Sequence, residues 1–197
     1  MTDAVAQTRI MKIWNVPPYG DDAVARLQLL AQVLGGSRAS RLDKRLFFTD
    51  KTVDSISATV DSSELGGQFF ISADVKTGVD PAVVEKAIEE ELNKLLAEGP
   101  SATELDQART VFRAGFVRGI ERIGGFGGKA DALAECAVFT GDPGCFRASL
   151  KTLAEATPES LRATGNAWLG AGKGSHTLVV NPGKRVALPE EPAATPT

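Results

Sequence analysis

Apolar positions along this chain change their period twice. Residues 9–16 (RIMKIWNV) are rich in strand formers, with Ile10, Lys12 and Trp14 alternating only in part, and they stop at Pro17-Pro18. That composition predicts a strand. A helix capped by Asp21 or Asp22 follows, with the stripe Val24, Leu27, Leu30, Ala31 and Leu34 and a stop at Gly35-Gly36. Ser37 is placed to cap a second, short helix reaching about Phe48. The period then returns to two. In residues 51–60, Val53, Ser55, Ser57 and Thr59 fall on one side and Asp54, Ile56, Ala58 and Val60 on the other. Residues 67–75 (GQFFISADV) come next, after the loop at residues 61–64, and the two runs predict an antiparallel hairpin.

From Asp80 onward the pattern is helical. Asp80 caps, Pro81 occupies the first helical position, and Gly99 ends a helix with the stripe Val84, Ile88, Leu92, Leu95 and Leu96. Glu85, Glu89, Glu90 and Lys94 are expected on its wet face. Ser101-x-x-Glu104 is a capping box. The helix it opens should carry Leu105, Ala108, Phe112, Phe116 and Ile120 on one face as far as Gly124-Gly125. Shorter helices are predicted over 131–139 and 145–155, and another from Thr157-Pro158 to near Gly170. Residues 175–180 (SHTLVV) read as a closing strand.

Strands and helices are segregated rather than alternating, so the fold class is α+β: an antiparallel or mixed β-sheet covered by helices on one face. Residues 1–8 are expected to be a disordered leader, 9–182 a single domain, and 183–197, ending PEEPAATPT, a tail or linker.

Composition narrows the function by exclusion. With 43% hydrophobic and 24% charged residues and a formal net charge of -3, nothing favours nucleic acid or anionic lipid as a partner. The basic cluster Arg38, Arg41, Lys44 and Arg45 lies on a helical pattern and is expected to be a solvated face, as is Glu89-Glu90-Glu91. No apolar run reaches the roughly 18 residues of a membrane span. Cys136 and Cys145 do not make a framework; Cys136 lies in the apolar run Ala132, Leu133, Cys136, Ala137, where a buried free thiol is expected and pairing stays open.

Catalytic chemistry is thinly provided. The only histidine is His176, and neither H-x-x-E-H nor H-E-x-x-H occurs. A catalytic zinc takes about three protein ligands, which one histidine and two separated cysteines do not supply. No metal-ligating residue and no catalytic residue is therefore assigned. Ser175 and His176 are adjacent, and in a strand they point to opposite faces, which spoils a nucleophile–base pair. The run Gly124-Gly125-Phe126-Gly127-Gly128-Lys129 fails the phosphate-loop pattern at both ends and follows a helix. It is expected to break the chain sharply between two helices.

Several stretches resemble the insulinase-like (pitrilysin, or inverzincin) zinc metallopeptidase family. Trp14-Asn15-Val16-Pro17-Pro18-Tyr19-Gly20-Asp21 is similar to the entry of its second domain. Residues 30–42 (LAQVLGGSRASRL) resemble its LxxxLGGGxSSRL segment. Residues 64–71 match its glycine-led strand, residues 96–108 its GpxteeELxxAk pattern, and residues 123–131 a run of bacterial members. Together they span about residues 9–182.

The resemblance implies the second, C-terminal-type domain of a half-unit, in which zinc sits on the other domain. It implies a processing-peptidase-like fold, no cofactor in this chain, and zinc in the parent protein's catalytic domain. It implies a chain inactive alone, helping to build a peptide-binding chamber, with the catalytic domain or half-unit and a peptide substrate as partners. Gln68 stands where some members place a substrate-clamping Arg, and the accompanying Tyr is not placed in this sequence, so no substrate-binding residue is carried over. Bacterial members suggest the periplasm, with the cytoplasm left open. Two other readings remain: a domain of a non-peptidase scaffold or processing-complex member, and an unrelated α+β interaction module. A domain cut from its neighbour is also expected to form homo-oligomers through the surface laid bare.

Overall fold

The computed structural model describes residues 1–184. Strands β1 (Thr2–Asp3), β2 (Arg9–Val16), β3 (Val53–Ser62), β4 (Gly67–Val75) and β5 (Ser175–Pro182) form one sheet in the order β1-β5-β2-β4-β3. The β1–β5 pair is parallel and the other pairs are antiparallel. The helices are α1 (Asp22–Gly35), α2 (Pro81–Glu98), α3 (Ala102–Glu121), α4 (Lys129–Thr140), α5 (Phe146–Glu155) and α6 (Pro158–Leu169), with a π-helical turn at Asp43–Thr49. The segregated α+β order is the one the sequence predicts. Residues 185–197, part of the expected tail, lie outside the described residues.

One side of the sheet meets the helices. Ile10, Trp14 and Val16 of β2, Phe69, Ile71, Ala73 and Val75 of β4, and Ile56 and Ala58 of β3 join α1, α2, α3, α5 and α6 in a single apolar core. The stripes of α1 and α2 are buried as their spacing requires. Gly35 shows how close the layers come: a Cβ there would sit 2.6 Å from the Ala58 backbone nitrogen, so α1 packs on β3 only without one. Asp21, Asp80, Ser101 and Thr157 cap their helices with side-chain oxygens, and the last two form capping boxes.

Several expectations change. Val53 does not share a face with Ser55: a bulge between them turns Val53 into the core beside Ile56 and Ala58. The helical segment after Ser37 begins at Arg41 and is mostly π-helical. Only Leu105 and Ala108 of α3 are fully buried; Phe112 packs against the core margin, and Val111 and Val117 are exposed. Thr2–Asp3, within the expected leader, pair with Asn181 and Pro182.

The charged clusters are not simply solvated faces. Lys12 points into the helix side of the sheet and places its ammonium 2.5 Å from Glu89 and 3.7 Å from Glu85. A buried lysine needs such partners. Arg45 pairs with Glu90, Glu91 and Asp50, and the Arg38 guanidinium lies 4.0 Å above the Phe47 ring. Arg41 forks onto Glu104 with bonds of 2.7 and 2.8 Å and also donates to the Gly99 carbonyl. Glu104 meanwhile accepts from the Ser101 backbone N–H as half of a capping box. The segment at residues 30–42 and the one at 96–108 are thus joined by a single carboxylate. The Arg41 hydrogen bond holds the Glu104 carboxyl down at about 2.

Cys136 and Cys145 are not free thiols: they form a disulfide with Cα atoms 5.4 Å apart. The apolar run around Cys136 is not a core stripe either, since Leu133 and Ala137 are exposed. The turn at Asp142–Cys145 instead folds the second cysteine back to the first, with Gly144 N–H bonded to Asp142.

Candidate docking face

The second side of the sheet carries no helix of the described residues. Because β2 pairs with β4 and β5 in register, its outward residues line up in rows. Ile13 stands between Phe70 and His176, Met11 between Ser72 and Leu178, and Arg9 between Asp74 and Val180. None of these side chains belongs to the core. Met11, Ile13, Phe70 and Val180 are half-buried and Leu178 is 38% exposed. They make an apolar band across the three middle strands, bordered by Asn15, Gln68, Ser57 and Thr59.

One end of the band is fixed by charge. Arg9 Nε donates to Asp74 at 2.8 Å, and Ser55 Oγ donates to the other carboxylate oxygen at 2.8 Å. These bonds pull the Asp74 carboxyl below, and push the Arg9 guanidinium above, their ordinary values, with the Arg9–Asp74 hydrogen bond as the main cause. Such a pair supplies no nucleophile and no base. A half-apolar sheet face with a polar rim is suited to packing against another surface.

The strand sequence held a signal for this face. RIMKIWNV is apolar on both sides, which a strand with one wet face does not need.

The residues singled out for chemistry do not assemble. His176 pairs across from Ile13 and Ser175 from Trp14, so the two side chains leave on opposite sides of the sheet. Among the described residues, no group of three or more His, Cys, Asp or Glu side chains is arranged to hold a metal ion. With the two cysteines bonded to each other, the donors present do not fit a catalytic zinc. The run at residues 124–128 is an exposed corner between α3 and α4, with Phe126 97% exposed. Gln68 is exposed at the end of the band, beside Asn15 and Asp61 in register. No helix of the described residues is long and apolar enough to cross a membrane.

The family model of the peptidase M16 inactive domain matches residues 1–112, more than half of the chain. The chain belongs to that family. The match spans β1 to β4, α1, α2 and the first half of α3, and so includes both stretches joined by Arg41 and Glu104. No curated protein matches the chain in sequence.

Solved structures extend the likeness to the remaining helices and β5. A protease from Helicobacter pylori is 17% identical with a TM-score of 0.81, over 92% of this chain and 43% of that one. The inactive peptidase domain of a candidate zinc protease from Bordetella parapertussis is 18% identical with a TM-score of 0.79, over 96% and 98%. A peptidase M16 inactive domain from Pseudomonas fluorescens is 19% identical with a TM-score of 0.76, over 98% and 44%. At these identities the likeness establishes the fold. The chain spans under half the length of the Helicobacter and Pseudomonas proteins and nearly all of the Bordetella domain. The chain is thus an inactive domain of the M16 peptidase type.

Proposed function

We propose that this M16 inactive domain forms part of the wall of a peptide-binding chamber and packs, through its bare sheet face, on a zinc-bearing domain outside this chain. The supporting observation is the apolar band of Met11, Ile13, Phe70, Leu178 and Val180 on a domain whose own donors do not fit zinc. No catalytic or metal-ligating role is assigned to any residue of this chain, and the residues that touch peptide are left unassigned. The partner domain brings the zinc and the general base, and peptide is held between the two. The folded unit is residues 9–182 with Thr2–Asp3 added along β5 at the sheet edge, and homo-oligomers of the isolated domain form through the same band.

The test mixes the chain with a zinc-bearing M16 domain and follows cleavage of an unstructured peptide. Cleavage by the mixture well above that by the zinc domain alone is the expected result. Association without any gain in cleavage would favour a scaffold role in a processing complex, and absence of association would sink the docking face itself. The isolated chain binds no stoichiometric zinc and cleaves nothing; a one-to-one metal content would overturn the assignment.

A further inference from the structure

Helix α4 is held by almost nothing except sulfur. Its one fully buried side chain is Cys136, which stands outside the apolar core. Leu133 and Val138 are exposed, and the corner before it exposes Ile123 and Phe126. A helix that buries so little apolar surface gains little from packing. Cys136 is nonetheless fixed from several directions. Its Sγ is bonded to Cys145, accepts the Phe146 N–H at 3.1 Å, and lies 3.9 Å from the Tyr19 hydroxyl. Tyr19 in turn stacks at a tilt on Phe139, with ring centroids 5.3 Å apart. The sulfur bridge therefore ties α4 to the start of α5 and to the loop before α1.

We propose that the Cys136–Cys145 disulfide is a latch: α4 stays docked only while it is closed, and the protein matures in an oxidising compartment outside the cytoplasm. Disulfides between the only two cysteines of a chain persist where thiols are not kept reduced. Closing the latch removes two protons and two electrons from the two thiols and forms one S–S bond. The acceptor is a disulfide, of glutathione or of a thiol–disulfide oxidoreductase, whose own S–S bond breaks to two thiols. A dithiol reductant reverses the exchange and leaves as its own disulfide. The latch lies apart from the apolar band on the sheet, so it stands whether or not that band docks a partner.

Hydrogen exchange on the whole chain tests this, comparing protein equilibrated in an oxidising glutathione buffer with protein held in a phosphine reductant. Amides of α4 should exchange on the order of 100-fold faster when reduced, the factor that opening a loop of this size releases in the chain-entropy account. Amides of α1 and α2 should not change. Cys145→Ser, which keeps the buried Cys136 sulfur and puts a capping residue before α5, should behave as the reduced protein does. Should that variant fail to fold, the oxidised and reduced wild-type samples carry the comparison alone. Equal α4 exchange in both samples would overturn the latch. Two thiols open to alkylation after equilibration in the oxidising buffer would overturn the disulfide and with it the compartment.

Discussion

Glu104 joins two distant stretches through one carboxylate, and its replacement separates two contributions. Glutamine at this position preserves the capping box, since its carbonyl still accepts from Ser101. It removes the charge facing Arg41, whose side chain is only 14% exposed. Stranding a fully buried charge costs about 3–5 kcal/mol. Arg41 keeps the Gly99 carbonyl at 3.2 Å, and Glu104 is itself 25% exposed. The loss for Glu104→Gln should therefore be smaller, about 2 kcal/mol, which lowers the melting temperature by roughly 4–8 °C in a domain of this size. Glu104→Ala also removes the reciprocal cap and should cost about 1 kcal/mol more.

The same pair has a pH signature. The Glu104 carboxyl lies at about 2 in the folded domain against 4.5 for the free group. Between those values the unfolded chain binds the extra proton, so stability rises with pH. The contribution is complete above the unfolded value and is lost as pH falls toward the folded one. Glu104→Gln should flatten this part of the acid limb in thermal or urea unfolding. A variant within about 0.5 kcal/mol of wild type, with an unchanged acid limb, would refute the reasoning, because that is the range of an ordinary surface substitution.

Other expectations follow from the packing. Gly35→Ala should destabilise by about 1–3 kcal/mol in urea unfolding, because its Cβ meets the Ala58 backbone rather than a movable side chain. Ile13→Asp should leave the helical circular-dichroism spectrum intact and abolish association with a zinc-bearing partner domain; retained affinity would place the interface elsewhere. Phe126→Ser should shift stability by no more than about 0.5 kcal/mol, its ring being almost wholly in solvent.

The helix-covered sheet was legible because its signals are local. Asp80 with Pro81, the Ser101 box, and the α1 and α2 stripes each predict a boundary or a face from neighbouring residues. What escaped depends on partners far along the chain. Lys12 interrupts an apolar alternation for no local reason, and its place is explained only when α2 brings Glu85 and Glu89 over it. The apolar spacing of α3 continues past Ala108, yet no layer of the described residues buries Phe116 or Ile120. The bulge at Val53–Ser55 inverts a strand face that strict alternation assigns. The apolar band on the bare sheet face was signalled by strands apolar on both sides, a pattern easily mistaken for mere richness in strand formers.

Strand order carries a consequence for how this domain is made. β2 lies at the centre, with β4 on one side and β5 on the other, and Thr8 just before β2 hydrogen-bonds Asn181 in β5, 173 positions away. A nascent chain thus presents β2 with one edge unpaired throughout the synthesis of five helices. Its N–H and C=O groups on that edge remain open to other strands until β5 leaves the ribosome. The sheet closes only after translation has passed β5, and a ribosome stalled within α6 would release a species with its central strand turned into an edge.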